Sequence, residues 1–205
     1  TAIAAVVFAS FSGTGCLGQI ATGAAANALA SSGDTYSSDD DPELVGAAIP
    51  FGLKTMESVL AERPNHRGLL LALTQGYTAY AYGFVEHEAF VLEDEDDRRA
   101  EELEARASNL YDRARKYGFR NLDEKVDDFR ARLGSDPESA LGELDEDDVP
   151  VLYWTAAAWG LMVAAAELDP DTVAEFPMVE RMLERAMELD PDWDRGALHD
   201  FKVVL

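Results

Sequence analysis

Residues 100–117 read Ala100-Glu101-Glu102-Leu103-Glu104-Ala105-Arg106-Ala107-Ser108-Asn109-Leu110-Tyr111-Asp112-Arg113-Ala114-Arg115-Lys116-Tyr117, and the apolar steps run Ala100, Leu103, Ala107, Leu110, Ala114, Tyr117. Spacings that alternate between three and four put these side chains on one face of a helix and leave the charged residues between them in water. The same pattern continues in both directions. Leu122, Val126, Phe129 and Leu133 follow, and Trp154, Ala158, Leu161, Ala165 and Leu168 form a further stripe. Upstream run Leu69, Leu70, Leu73, Tyr77, Tyr80 and Phe84, preceded by Val45, Ile49, Leu53, Met56 and Leu60. Pro50 interrupts this last stripe and is expected to kink or split its helix. No stretch alternates for long with period two, and β-branched residues are sparse, so the sequence predicts an all-α fold.

The punctuation agrees. Asp-Pro occurs at 41–42, 136–137, 169–170 and 190–191, each before an apolar-periodic stretch. An Asp N-cap accepts the free amides of a first turn, and Pro at the first helical position forfeits no hydrogen bond, so four helix starts are expected. Val59-Leu60-Ala61-Glu62-Arg63-Pro64-Asn65 aligns with Ala186-Met187-Glu188-Leu189-Asp190-Pro191-Asp192, in the manner of a tetratricopeptide (TPR) repeat passing to its next helix. The two prolines are not separated by a multiple of the TPR period, which suggests an irregular TPR-like helix-pair array, an α-solenoid with insertions. The acidic runs Glu93 to Asp97 and Asp145 to Asp148 read as solvated loops.

At 205 residues and 47% apolar content, the chain suits one domain with a substantial core. Forty acidic against 17 basic side chains give a net charge of −23, which repels nucleic-acid phosphates and anionic headgroups. Nucleic acid is therefore excluded as a partner. The excess also suits a protein kept soluble in concentrated salt.

The lone cysteine, Cys16, follows an uncharged apolar run over residues 2–11, of signal-peptide length and too short for an ordinary transmembrane helix. Gly13-Thr14-Gly15-Cys16 resembles a bacterial lipobox, although Gly13 stands where Leu is usual, and Cys16 is the candidate lipidation site. An ordinary secretory signal cut near Ala24-Ala25-Ala26 is the alternative. These readings divide the chain into a signal segment at 1–16, a flexible tether at 17–40 and a TPR-like helical domain at 41–205. Gly13-Thr14-Gly15-Cys16-Leu17-Gly18 also fits G-x-G-x-x-G, but no second strand ending in an acidic residue follows, as a dinucleotide-binding unit requires.

Catalytic and metal chemistry find little purchase. His87-Glu88 begins H-E-x-x-H, yet Val91 occupies the second ligand position; His66 and His199 stand apart. Asp190, Asp192 and Asp194 resemble the start of a calcium loop, but Arg195 replaces its glycine and Phe201 its bidentate glutamate. The sequence is read as non-enzymatic, with no cofactor, metal or catalytic residue assigned. Aromatic residues remain. Tyr77, Tyr80, Tyr82 and Phe84 crowd one helix, and Tyr153, Trp154 and Trp159 another, with glycines and alanines between. Rings among small residues serve either as packed core or as the wall of an apolar groove. The candidate ligand-lining residues are Tyr77, Tyr80, Phe84, Tyr153, Trp154 and Trp159.

Several segments together resemble the T-component (TatT) family of tripartite ATP-independent periplasmic (TRAP) transporters associated with TPR proteins. They are Ser32-Gly33 through Asp41-Pro42-Glu43-Leu44-Val45, Ala48-Ile49-Pro50-Phe51-Gly52-Leu53-Lys54, Arg113-Ala114-Arg115-Lys116-Tyr117-Gly118, Leu152-Tyr153-Trp154-Thr155-Ala156-Ala157-Ala158-Trp159-Gly160 and Gly196-Ala197-Leu198-His199-Asp200-Phe201. The resemblance implies a periplasmic lipoprotein, anchored to a bacterial membrane by lipid only. It would be the accessory component of an ion-gradient-driven transporter, binding the extracytoplasmic (TatP-like) substrate-binding protein and an apolar or amphipathic small molecule. It also implies a homotrimer with an apolar channel, and a family chain that runs further, so that Leu205 would fall short of the C-terminal repeats. The alternative is a TPR lipoprotein acting as a structural scaffold or outer-membrane assembly factor without ligand.

Overall fold

The computed structural model describes residues 23–165 and 170–204, so Cys16, the lipobox and the remainder of 1–22 lie outside the described residues. The chain is all-α, with no strand among the described residues. Its helices are α1 (residues 23–30), α2 (Gly33–Ser37), α3 (Pro42–Glu62), α4 (Arg67–Tyr80), α5 (His87–Leu92) and α6 (Asp97–Asp123). They continue with α7 (Phe129–Ser135), α8 (Pro137–Gly142), α9 (Val149–Ala165), α10 (Pro170–Val173), α11 (Phe176–Leu189) and α12 (Trp193–Val204).

The caps explain most of the boundaries. Asp41 accepts the Leu44 amide at 3.0 Å to open α3, and Asp136 accepts that of Ser139 at 3.2 Å to open α8. Pro170 begins α10, whereas Asp169 lies outside the described residues. The fourth expectation is corrected. Asp190 caps the end of α11 and accepts the Asp192 amide at 3.2 Å, and a left-handed turn at Asp194, Arg195 and Gly196 (φ 44°, 60° and 92°) precedes the regular part of α12. An unforeseen cap is His66, whose Nδ1 accepts the Leu69 amide at 3.1 Å at the start of α4.

Three further readings change. α3 runs unbroken through Pro50. Leu122, Val126, Phe129 and Leu133 are all buried in one cluster, but α6 ends at Asp123 and Asp128 adopts φ 53°, so Leu122 belongs to α6, Val126 to the turn after it, and Phe129 and Leu133 to α7. The run Asp145 to Asp148 is solvated over its first three residues, as expected, but not at Asp148. Its last three residues form a 3₁₀ turn, and the Asp148 side chain is fully buried between Arg67 (2.6 Å) and Lys125.

Packing proceeds largely in chain order: α3 on α4, α4 on α6, α6 on α9, α9 on α11, and α11 on α12. α4 also touches α9, so α4, α6 and α9 form the centre. The two aligned proline segments mark the tight α3–α4 and α11–α12 connections. α9 buries Val151, Leu152, Ala156, Ala158, Trp159 and Val163, more than one face, which is why its composition is apolar all round. Its approach to α6 needs Gly118, where a Cβ would lie 2.1 Å from Thr155 Oγ1. Thr74, Thr78 and Thr155 are buried, and each hydroxyl donates to the carbonyl four residues back, which satisfies these three hydroxyls within their own helices.

Part of the stretch expected as a tether packs on this body. Ala26 of α1 is fully buried, Leu29 and Ala30 lie against the α3–α4 core, and Asn27 Oδ1 is 3.0 Å from His66 Nε2. Alanine-rich composition can serve a helix as well as a linker, and small side chains let α1 sit close to α4.

Two apolar clefts beside helix α4

α4 does not stop at Tyr80. It widens into a π-helical segment, Ala81–Glu86, and resumes as α5. Such widenings re-aim side chains and recur at functional sites. Here Phe84 faces one cleft and Tyr82 another, and both clefts reach Ala79.

The first cleft, about 230 Å³, lies between α2, α3 and α4. Ile49, Leu53 and Met56 of α3 face Ala72, Gly76 and Ala79 of α4, with Tyr36 and Phe84 at its walls. The spacing 72, 76, 79 is one helix face kept clear of large side chains. Phe84 rests against α3 where only glycine fits: a Cβ at Gly46 would lie 2.7 Å from its ring. The second cleft, about 430 Å³, opens between α4, α9 and α12. Tyr82, Tyr153, Trp154, Leu161 and Phe201 line it, with Asp200 as its one carboxylate.

The six residues singled out from the sequence therefore separate. Phe84 lines the first cleft, and Tyr153 and Trp154 line the second. Tyr80 is half-buried and lines neither cleft, stacked on Phe84 at 5.7 Å and with the Arg106 guanidinium 5.7 Å from its ring centroid. Tyr77 and Trp159 line neither cleft. Tyr77 is buried and donates to Glu57 Oε1 at 2.7 Å. Burial and that carboxylate push its hydroxyl up to about 12. Trp159 is fully enclosed; its Nε1 donates to Glu175 Oε2 at 2.7 Å, and Arg115 and Arg130 hold the same carboxylate at 3.2 and 3.1 Å.

Tyr36, Ile49 and Phe201 were not among the ligand-lining residues read from the sequence, whereas Gly76 and Ala79 are among the small residues that the sequence sets beside the rings. The small-residue face at 72, 76 and 79 was a usable signal. Nothing local, by contrast, announces that Phe201 of α12 meets Tyr153 of α9. Among the described residues no group of His, Cys, Asp and Glu is arranged to hold a metal ion, and His87 and His199 are exposed. By length and composition alone Pro42–Glu62 and Glu146–Ala165 could cross a membrane. The second is a core helix, and the first turns Leu44 and Phe51 outward.

Stacked helices that leave apolar clefts between them define a class of all-α proteins suited to holding small molecules or partner chains. Within that class, the model of the TRAP transporter T-component family matches residues 38–205, and the chain belongs to this family, a transport rather than an enzyme family. An uncharacterized protein of Treponema pallidum (strain Nichols) is 32% identical over 170 residues, covering 80% of this chain and 52% of the relative. The chain thus spans about half the length of the curated relative it matches.

Proposed function

We propose that the protein is the accessory component of a TRAP-type, ion-gradient-driven transporter, that it docks on the extracytoplasmic substrate-binding protein, and that it lodges an apolar or amphipathic small molecule beside α4. Family membership supports the transport role. The observation that carries the ligand is the pair of clefts meeting at Ala79, walled by Phe84 on one side and by Tyr153 and Trp154 on the other. The second, at about 430 Å³, has the size for a ligand with a short alkyl chain. The location proposed with this role is the periplasm, with Cys16 as the acylated residue and a homotrimer as the assembly.

Nile red, a neutral apolar dye, tests the ligand reading on the full-length protein. Saturable binding that weakens in Trp154→Ala, with the fold retained by circular dichroism, is the expected result. No saturable binding would leave the scaffold alternative, which the enclosure of Tyr77 and Trp159 favours. Co-purification with the substrate-binding protein from solubilised native membranes tests the docking. Intact mass of the same preparation reads acylation of Cys16.

A further inference from the structure

Arginines of the chain itself cover several aromatic rings of α4, α6 and α9. Arg106 sits over Tyr80 at 5.7 Å, Arg113 over Tyr77 at 5.4 Å, Arg115 over Trp159 at 5.5 Å and Arg120 over Tyr117 at 5.5 Å. The rings at the second cleft, and Trp193 beside it, are not among them. Tyr153 packs against Trp154 at 5.1 Å, Trp193 at 4.9 Å and Phe201 at 5.8 Å, and among the described residues no guanidinium or ammonium covers any of the four.

We propose that the cleft between α4, α9 and α12 binds an organic cation bearing an apolar chain, of the alkylammonium class. The inference rests on the ligand-binding reading above and names the charge of the ligand. Ring faces carry a negative quadrupole that attracts cations, most strongly where water is excluded, and methylated ammonium groups suit a cage of rings because they shed water readily. Asp200 adds a full negative charge to the lining, and no Lys, Arg or His contributes to it. Arg195 and Lys202, on the same helix as Asp200, line no part of the cleft. The field at its wall is legible in Tyr153, whose hydroxyl is held protonated beyond the ordinary range first by burial and then by Asp194 and Asp200. A carboxylate or phosphate head would meet like charge and no counter-ion. Thr78, Ala79, Leu161 and Ala197 leave a mostly apolar remainder for the chain, within about 430 Å³.

Decyltrimethylammonium, decanol and decanoate share one alkyl chain and differ in head charge, so calorimetric titration of the full-length protein with each isolates the charge preference. In 1 M NaCl, where screening acts beyond about 3 Å, the cation is expected to bind at least about tenfold more tightly than decanoate. Trp154→Leu, which keeps apolar volume but removes a ring, should weaken the cation by about tenfold and decanol by less than about twofold. Asp200→Asn should narrow the cation-to-decanoate ratio by about fivefold, whereas Asp127→Asn, in the turn after α6, should leave it unchanged. Equal or tighter binding of decanoate overturns the inference while the ligand-binding reading stands. So does a preference that disappears in 1 M NaCl and ignores Asp200→Asn, since that is the signature of the overall charge of −23. Failure of all three probes to bind removes the ligand-binding reading itself.

Discussion

Tyr77 of α4 and Tyr117 of α6 stack with centroids 6.1 Å apart and donate their hydroxyls, at 2.7 and 2.8 Å, to the same oxygen of Glu57 on α3. One carboxylate oxygen thus ties three helices, and Lys54 balances its charge from the neighbouring turn. Hydrogen bonds to a charged acceptor contribute about 1.5–3 kcal/mol, so Tyr77→Phe and Tyr117→Phe should each lower unfolding free energy by that order. The double variant should lose more than the sum, because in either single variant the remaining hydroxyl still serves the carboxylate. Urea denaturation of the four proteins measures the coupling.

The same hydroxyls predict behaviour at alkaline pH. Tyr77, Tyr111, Tyr117 and Tyr153 all have raised values, burial being the first cause in each. A phenol raised in the folded state contributes stability that is complete below its unfolded value, about 10, and is lost as pH climbs through the folded one. Stability should therefore decline from about pH 10 upward, through about 12 for Tyr77 and further for Tyr111 and Tyr117. Absorbance at the phenolate band should show early and late classes of tyrosine, the late class ionising together with loss of helical signal.

In acid the sign reverses. Asp148, Glu57 and Asp112 are held below the ordinary carboxylate value: burial opposes this in each case, and hydrogen bonds from Lys125 and Arg67, from Lys54 and two tyrosines, and from Lys116 and Arg115 outweigh it. Their contribution is present above the unfolded values, about 4, and is lost as pH falls through the depressed ones. Asp123, raised chiefly by burial, works the other way. Asp148→Asn should cost about 3 kcal/mol at pH 7, the low end for a broken buried pair because Arg67 and Lys125 retain some water, and should flatten the slope below pH 4. Thermal unfolding against pH checks both.

Helix α6 meets α9 through a contact only glycine permits. Gly118→Ala would place its Cβ 2.1 Å from Thr155 Oγ1 and 2.9 Å from Thr155 Cβ. Overpacking of this kind costs about 1–3 kcal/mol or more. Thr155→Ser in the same background removes the methyl, whose carbon would lie 2.9 Å from the added Cβ, and frees the hydroxyl to change rotamer, so it should restore part of the loss. Melting temperatures of the three proteins decide it.

The tryptophans should divide by environment. Trp159 is enclosed and bonded to Glu175, so Trp159→Ala should cost about 3–5 kcal/mol. Trp154 is only half-buried at its cleft, and Trp154→Ala should cost less, about 1–2 kcal/mol. If a probe enters that cleft, Trp154→Phe abolishes most of the fluorescence change and Trp159→Phe retains it. The reverse pattern would place the probe elsewhere.

Local chemistry made the helical class and many of its boundaries readable from the sequence. The apolar face of 100–117 fixes α6, and Asp41 and Asp136 cap their helices with side chains only three residues from the amides they accept. The resemblance at Leu152 to Gly160 likewise names a family that the match over 38–205 bears out. What periodicity could not decide was which apolar faces are enclosed and which are left open. Along α9, the stripe read from the sequence carries Trp154 and Leu161 at the open cleft, while Trp159 on another face goes to the core, since neighbours from α6 and α11 surround it. Asp148 gave no local sign of burial, because its partner Arg67 stands 81 residues away. The ring cage is likewise tertiary: Tyr153 meets Phe201 only through the left-handed turn at Asp194 to Gly196 that brings α12 against α9. A helix's own stripe records where apolar surface exists; whether that surface is filled by another helix or left as a cleft depends on elements far away in sequence, whose packing no local spacing encodes.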